Sequence, residues 1–115
     1  MLTLDELTQA MHRFVGGKGW YDPGSSKLQT PKNIACSLAI EAAEVLEHFQ
    51  WSDELQDREG LSGELADVAL YLLQLASVTG IDLEQAILDK LTLNASRTWS
   101  EPGPSPRAED PSETE

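Results

Sequence analysis

With 115 residues the chain has room for one domain, and its 20 acidic against 8 basic side chains leave a net charge of −12. That charge argues against any sequence-independent grip on a nucleic-acid polymer, which needs a basic face. The single cysteine, Cys36, excludes an intramolecular disulfide and, lying in an apolar run, reads as a small buried side chain. The N-terminal stretch MLTLDELTQAMHRF carries charges throughout and lacks a signal-peptide core, and acids interrupt the apolar stretches short of the ~20 residues a membrane span needs. A soluble, cytoplasmic protein with no membrane partner is expected.

The pattern is all-α, with no internal repeat and no run of alternating β-branched residues. The first helix is expected from about Leu4 to Val15. Thr3 to Glu6 has the capping-box form, Leu2 and Leu7 are placed as a hydrophobic staple, and Leu4, Leu7, Met11 and Phe14 form the apolar stripe. Gly16-Gly17 should end it. A long loop, GKGWYDPGSSKLQT, follows, and long ordered loops are often functional. Thr30-Pro31 then starts a second helix running to about Gln50. From Ile34 to Leu46 it is apolar nearly all round, which predicts a central, buried element. A polar connector, SDELQDREGLSG, leads to a third helix that continues to Thr79, with Gly80 as its C-terminal cap. Asp82 begins the fourth, with Gln85 as capping-box partner, and this helix fades near Trp99. The domain is placed at residues 1–100. Residues 101–115, EPGPSPRAEDPSETE, are acidic and Pro-rich with no large apolar side chain, and read as a disordered tail.

Four carboxylates carry the chemistry. Glu41 and Glu44 on the second helix, and Glu64 and Asp67 on the third, are each spaced i, i+3 and so share a face. Ile34, Leu38, Glu41 and Val45 recur at core spacing, as do Leu61, Glu64, Val68, Tyr71 and Leu75. Glu41 and Glu64 thus stand where a plain bundle would place Leu. Either pair alone reads most simply as partly solvated acids beside a seam. Two pairs in consecutive apolar helices, packed antiparallel, would converge, and bare like charges in such an interface are strongly unfavourable without protons or cations. An all-oxygen carboxylate site suits Mg²⁺, with Mn²⁺ as a substitute. Glu47 has drifted around the helix and is either beside this site or solvated. His12 and His48 have no Cys or second His at ligand spacing and read as surface or seam residues.

The spacing Glu41-x-x-Glu44, nineteen residues, then Glu64-x-x-Asp67 resembles the signature of the MazG-like, all-α nucleoside triphosphate pyrophosphohydrolases. TPKNIACSLAIEAAEVLEHFQW and ELADVALYLLQLASVTGIDLEQAILDKLTLNASR are similar to the two acidic segments of their small dCTP-pyrophosphatase-like members. The resemblance covers roughly residues 4 to 99. It implies a four-helix bundle assembling as a homodimer or homotetramer, with Glu41, Glu44, Glu64 and Asp67 as catalytic Mg²⁺ ligands. It further implies cleavage of (d)NTPs, dCTP or modified nucleotides among them, between the α- and β-phosphates, as nucleotide-pool house-cleaning. Lys90 and Asn94, with Arg97 continuing their stripe, resemble phosphate and sugar contacts, and Lys32 is a weaker phosphate candidate. A basic helix end favoured by the macrodipole is the plain alternative for the first three. Trp20, Trp51 and Tyr71 resemble base-pocket aromatics, a stacking role suited to flat amphipathic rings, with a core tyrosine whose hydroxyl is satisfied as the plain alternative for Tyr71. Phe14, Phe49 and Trp99 read as packing. The nucleotide is expected in a cleft walled by the second, third and fourth helices, with the Trp20 loop contributed by the same chain or by a neighbour.

The chain departs from those relatives at Gln29, where a histidine is common, in the longer PGSSKLQ loop and in the short connector. These changes bear on dCTP preference rather than on the reaction. The rival reading is a non-catalytic acidic helical interaction module with a structural cation.

Overall fold

The computed structural model describes residues 1–97 and contains four helices, α1 (Leu4–Gly17), α2 (Pro31–Glu47), α3 (Arg58–Val78) and α4 (Leu83–Ser96), with no strand among the described residues. The expected tail and Trp99 lie outside the described residues.

Local chemistry explains the helix starts. Thr3 Oγ1 accepts from the Glu6 N–H at 3.0 Å while the Thr3 N–H donates to Glu6 Oε1 at 2.9 Å, closing the capping box. Thr30 caps α2 through the Asn33 N–H at 3.1 Å, and Pro31 follows in the first turn, where its missing N–H costs nothing. Asp82 caps α4 through the Gln85 N–H, but the Gln85 amide donates forward to Asp89 at 2.8 Å, so the expected capping box is not closed. Asp57, not singled out from sequence, caps α3 through the Gly60 N–H at 2.9 Å. A Cβ on Gly60 would stand 3.1 Å from the His48 ring and closer still to the Asp57 carboxylate, so glycine leaves room for both.

The ends hold two corrections. α1 runs through Gly16 and Gly17, and Gly19 closes it at φ 75°. The Trp20 N–H bonds to Val15 O at 3.3 Å and the Gly19 N–H to Gly16 O at 3.0 Å, a Schellman pair. Neither Gly16 nor Gly17 takes positive φ; the left-handed residue sets the stop, and it comes two positions later. Gly80, at φ 76°, closes α3 the same way as expected, with the Ile81 N–H on Ala76 O at 2.8 Å. α2 stops at Glu47 in short i→i+3 bonds, so Trp51 lies beyond the helix and not at its end.

α3 packs most extensively on α2, next on α1, and only lightly on α4. Residues near the start of α2 (Asn33, Ile34) meet the second half of α3 (Tyr71, Gln74), whereas His48 meets Glu64, so α2 and α3 run antiparallel. The apolar core among the described residues is Met11, Val15, Ile34, Leu73 and Ala76. On α1 the inward face is therefore Leu4, Thr8, Met11 and Val15; Leu7 and Phe14 of the expected stripe are exposed, because the helix is rotated to set Val15 against α3. The expected stripes on α2 and α3 do face inward.

α2 is not buried all round: only Ile34 is buried, Ile40 and Leu46 are 59% and 68% exposed, and Cys36 is exposed rather than buried. One flank of α2 has no neighbour among the described residues. α4 buries no residue, and Ile87, Leu88, Leu91 and Leu93 stand open. By length and mean hydropathy, 1.3, α3 is long and apolar enough to cross a membrane, contrary to the expectation from acid spacing. Here it is the central helix of the bundle, with Glu64 and Asp67 turned toward Glu41 on α2.

Candidate active site

The antiparallel register brings the acids of α2 and α3 together. One oxygen from each of Glu41, Glu64 and Asp67 lies within 4.8 Å of the others. Glu44, one turn along α2, lies close enough for Glu41 and Glu64 to act on its carboxyl. Glu41 Oε1 is sealed from solvent and has no hydrogen-bond partner, alone in this among the described residues. A sealed carboxylate oxygen with nothing to accept from is costly, and a proton or a cation relieves it. Burial, then the charges of Asp67 and Glu64, push the Glu41 carboxyl above its ordinary value of 4.5. The Glu44 carboxyl is pushed up mainly by repulsion from Glu41. Opposite them His48 Nε2 stands 3.6 Å from Glu64 Oε2, so this histidine joins the rim of the cluster, a contact its spacing did not suggest. An all-oxygen donor set with one orphaned acceptor fits a hard divalent cation.

Beside the cluster lies a cavity of about 380 Å³, within the ~300–1,000 Å³ range of small-ligand sites. Asp67 belongs to both. The walls come from α1 (Met11, Phe14, Val15), the following loop (Trp20, Ser26 to Gln29), α2 (Asn33, Ile34, Ser37) and α3 (Leu70, Tyr71, Gln74). α4 contributes nothing to it, which corrects the expected cleft: α1 and its own loop occupy the place foreseen for α4.

The Schellman turn at Gly19 sends Trp20 back over α1. Its ring meets Phe14 edge-on, with centroids 5.7 Å apart at 85°, and Lys27 Nζ lies 5.2 Å from its centroid. Further in, a hydrogen-bonded chain crosses three elements. His12 Nε2 is 2.7 Å from Ser77 Oγ and His12 Nδ1 is 2.6 Å from the Tyr21 hydroxyl. Gln74 Nε2 donates to that hydroxyl at 3.3 Å and to Gln29 Oε1 at 2.7 Å, and Gln29 Nε2 donates to Lys27 O at 2.7 Å. His12 is thus a residue of the α1–α3 seam, one of the two expected places, and it also anchors the loop through Tyr21.

Of the site residues expected from sequence, the structure gathers Glu41, Glu44, Glu64 and Asp67, with Trp20 and Tyr71 in the adjoining cavity. It does not bring Lys32, Trp51, Lys90, Asn94 or Arg97 to that cavity. Trp51 is 89% exposed, and Lys32 and Lys90 are exposed. Arg97 Nη1 donates to Asn94 Oδ1 at 3.4 Å along α4. Phe14, Lys27, Gln29 and Gln74 line the cavity without having been singled out as site residues. Two left a readable signal: Gln29, which stands where the relatives often carry a histidine, and Gln74, an amide inside the apolar run ALYLLQLA that is 2% exposed in the structure.

The sequence profile of the MazG-like family matches residues 36–103, and the chain belongs to that family. The match takes in both acidic pairs and the last helix. The chain is 29% identical over 104 residues to mouse dCTP pyrophosphatase 1, with 83% of this chain and 58% of the mouse protein covered. The human protein of the same name is likewise 29% identical. The chain therefore spans little more than half the length of these relatives. Among solved structures, a pyrophosphatase from Archaeoglobus fulgidus superposes with a TM-score of 0.68 at 36% identity, covering 82% of this chain and 90% of that one.

Proposed function

We propose that the protein is a Mg²⁺-dependent nucleoside triphosphate pyrophosphohydrolase, hydrolysing (d)NTPs to the monophosphate and pyrophosphate. The observation that carries the reading is a sealed, partnerless oxygen, Oε1, on Glu41, whose carboxylate gathers with two others, one of which, Asp67, also lines a cavity of ligand size. The names of the relatives, dCTP pyrophosphatase and pyrophosphatase, support the same chemistry.

Glu41, Glu64 and Asp67, with Glu44 beside them, would hold the cation. A bound divalent ion supplies neutralisation of charge on the phosphate oxygens and a more acidic water. The chain does the rest. Trp20, Phe14 and Tyr71 enclose the base, and the apolar wall of Val15, Ile34 and Leu70 excludes water around it. The oxygen of a water bonds to the α-phosphorus while the bond from that phosphorus to the α–β bridging oxygen breaks. Pyrophosphate leaves with the bridging oxygen, and a carboxylate of the cluster takes the water's proton. Clearing (d)NTPs, modified ones included, ahead of polymerases is the cellular role that fits.

The phosphates need positive charge beyond the cation. Lys90, Asn94, Arg97 and Lys32 are its proposed sources, and since α4 lies outside the single-chain cavity the arrangement calls for a neighbouring copy. Ile40, Leu46, Ile87, Leu88 and Leu91, each 44% or more exposed, are the apolar surface a homodimer or homotetramer would cover. The test is a panel of dNTPs and NTPs with Mg²⁺, scoring pyrophosphate, orthophosphate and monophosphate separately. Equal yields of pyrophosphate and monophosphate are expected. Orthophosphate as the product would point to another phosphohydrolase, and silence with Mg²⁺ and Mn²⁺ alike would favour the interaction module.

A further inference from the structure

The hydrogen-bonded chain across the cavity fixes which way each amide faces. Gln29 touches the carbonyl of Lys27, and a backbone carbonyl can only accept, so the Gln29 end at 2.7 Å must be its NH₂. Gln29 therefore presents Oε1 to Gln74, and the Gln74 atom 2.7 Å away must be a donor, Nε2. The second hydrogen of that NH₂ goes to the Tyr21 hydroxyl at 3.3 Å. The hydroxyl oxygen accepts there, its own hydrogen has both Met11 Sδ at 3.9 Å and His12 Nδ1 at 2.6 Å in reach, and His12 Nε2 lies 2.7 Å from Ser77 Oγ. Both hydrogens of the Gln74 amide are spent on the protein. Its Oε1 takes part in neither bond, and it is not a sealed atom without a partner, since that description fits Glu41 Oε1 alone among the described residues. Gln74 lines the cavity next to Tyr71, and it cannot rotate its amide without breaking two bonds at once.

We infer that Gln74 Oε1 is a fixed acceptor that selects nucleotides whose base carries an exocyclic amino group over those with a keto oxygen at the same place. An amino group donates to Oε1. A keto oxygen would set two acceptors against each other, with neither able to turn away, leaving a desolvated polar pair unpaired. Gln29, Tyr21 and His12 are positioning residues in this scheme: they hold the amide and touch no base. The inference rests on the pyrophosphohydrolase reading of the same cavity, and names the chemical class of base it takes.

The experiment compares kcat/KM for two pairs that exchange an exocyclic amino for a keto group, with the proton that this places on the neighbouring ring nitrogen, dCTP with dUTP and dATP with dITP, in the wild-type protein, Gln74→Met and Gln29→Leu. Gln74→Met keeps volume and removes the acceptor. Gln29→Leu, half-buried in the loop, lets the Gln74 amide turn while leaving the helices untouched, and serves if Gln74→Met does not fold. The expected wild-type preference is about tenfold or more for the amino member of each pair that is hydrolysed, the scale of one buried polar group left unsatisfied. Gln74→Met should bring the ratio to within about threefold of one, by lowering kcat/KM for the amino substrate and raising it for the keto one. Gln29→Leu should lower the ratio chiefly through KM. A wild-type ratio near one, or a ratio unchanged in both variants, overturns the role of Gln74 and leaves pyrophosphohydrolysis standing. If no member of either pair is hydrolysed, both readings fall together.

Discussion

Two regions meet at Asp67 and are built on opposite principles. The acid cluster is made by local spacing: i, i+3 on α2, i, i+3 on α3, and an antiparallel pairing of the two helices. The cavity beside it is made by contacts distant in sequence, His12 with Ser77, Tyr21 with Gln74 and Gln29 with Gln74, 65, 53 and 45 residues apart. The cluster carries unrelieved repulsion and one orphaned oxygen, whereas the cavity's polar groups pair among themselves through its wall. A cluster of that kind stores cost until a ligand relieves it, and a paired wall is rigid before the ligand arrives. The first suits chemistry, the second selection.

Changes to the cluster should have the largest effect on turnover. Glu41→Gln with Asp67→Asn should lower kcat by about 10²–10³-fold or more, on the scale of losing one preorganised electrostatic group. In metal-free buffer the same variant should melt at a temperature equal to or above the wild type's, because it removes two like charges from the seam. A matched fall in activity and melting temperature would contradict that separation. The core between the two regions should govern folding instead. Ile34, 2% exposed and in the cavity wall, should cost ~2–5 kcal/mol as Ile34→Ala in urea unfolding.

On the cavity side, Trp20→Ala should raise KM with little change in kcat, by the ~1–3 kcal/mol that base stacking supplies. An unchanged KM for every base would remove Trp20 from the site. The smallest effect is on stability against pH. Folding raises the Glu41 and Glu44 carboxyls above 4.5, so between the unfolded and folded values the folded state binds more protons than the unfolded one. Stability without a divalent ion should therefore be greatest below pH 4.5 as far as these two groups are concerned, and fall as pH rises through the folded values. Thermal melts in a chelator across that interval, repeated with Glu41→Gln, isolate the contribution; an identical slope in the variant would assign it elsewhere.

How legible each region was follows from the same contrast. Glu41, Glu44, Glu64 and Asp67 could be read because helical periodicity alone puts them on facing surfaces, and capping residues such as Thr3 and Thr30 announce themselves locally. The cavity could not be assembled this way. Nothing local in GKGWYDPGSSKLQT says that Gly19, rather than Gly16 or Gly17, takes the left-handed turn that folds Trp20 back. No period relates Gln29 to Gln74. Apolarity all round α2 predicts burial, yet Ile40, Leu46 and Cys36 face outward in the single chain, because apolar composition does not distinguish a core from a surface awaiting a partner. Lys90, Asn94 and Arg97 share a helix end, but a stripe on α4 cannot tell what α4 packs against.

The central claim is that the α2–α3 acids form a cation site, and direct binding tests it without assuming any substrate. Mn²⁺ titrated into the metal-free protein and followed by electron paramagnetic resonance should show saturable binding in the wild type. Glu41→Gln with Asp67→Asn should lose it while keeping helical content. Equal binding by both proteins, or none by the wild type, would contradict the account.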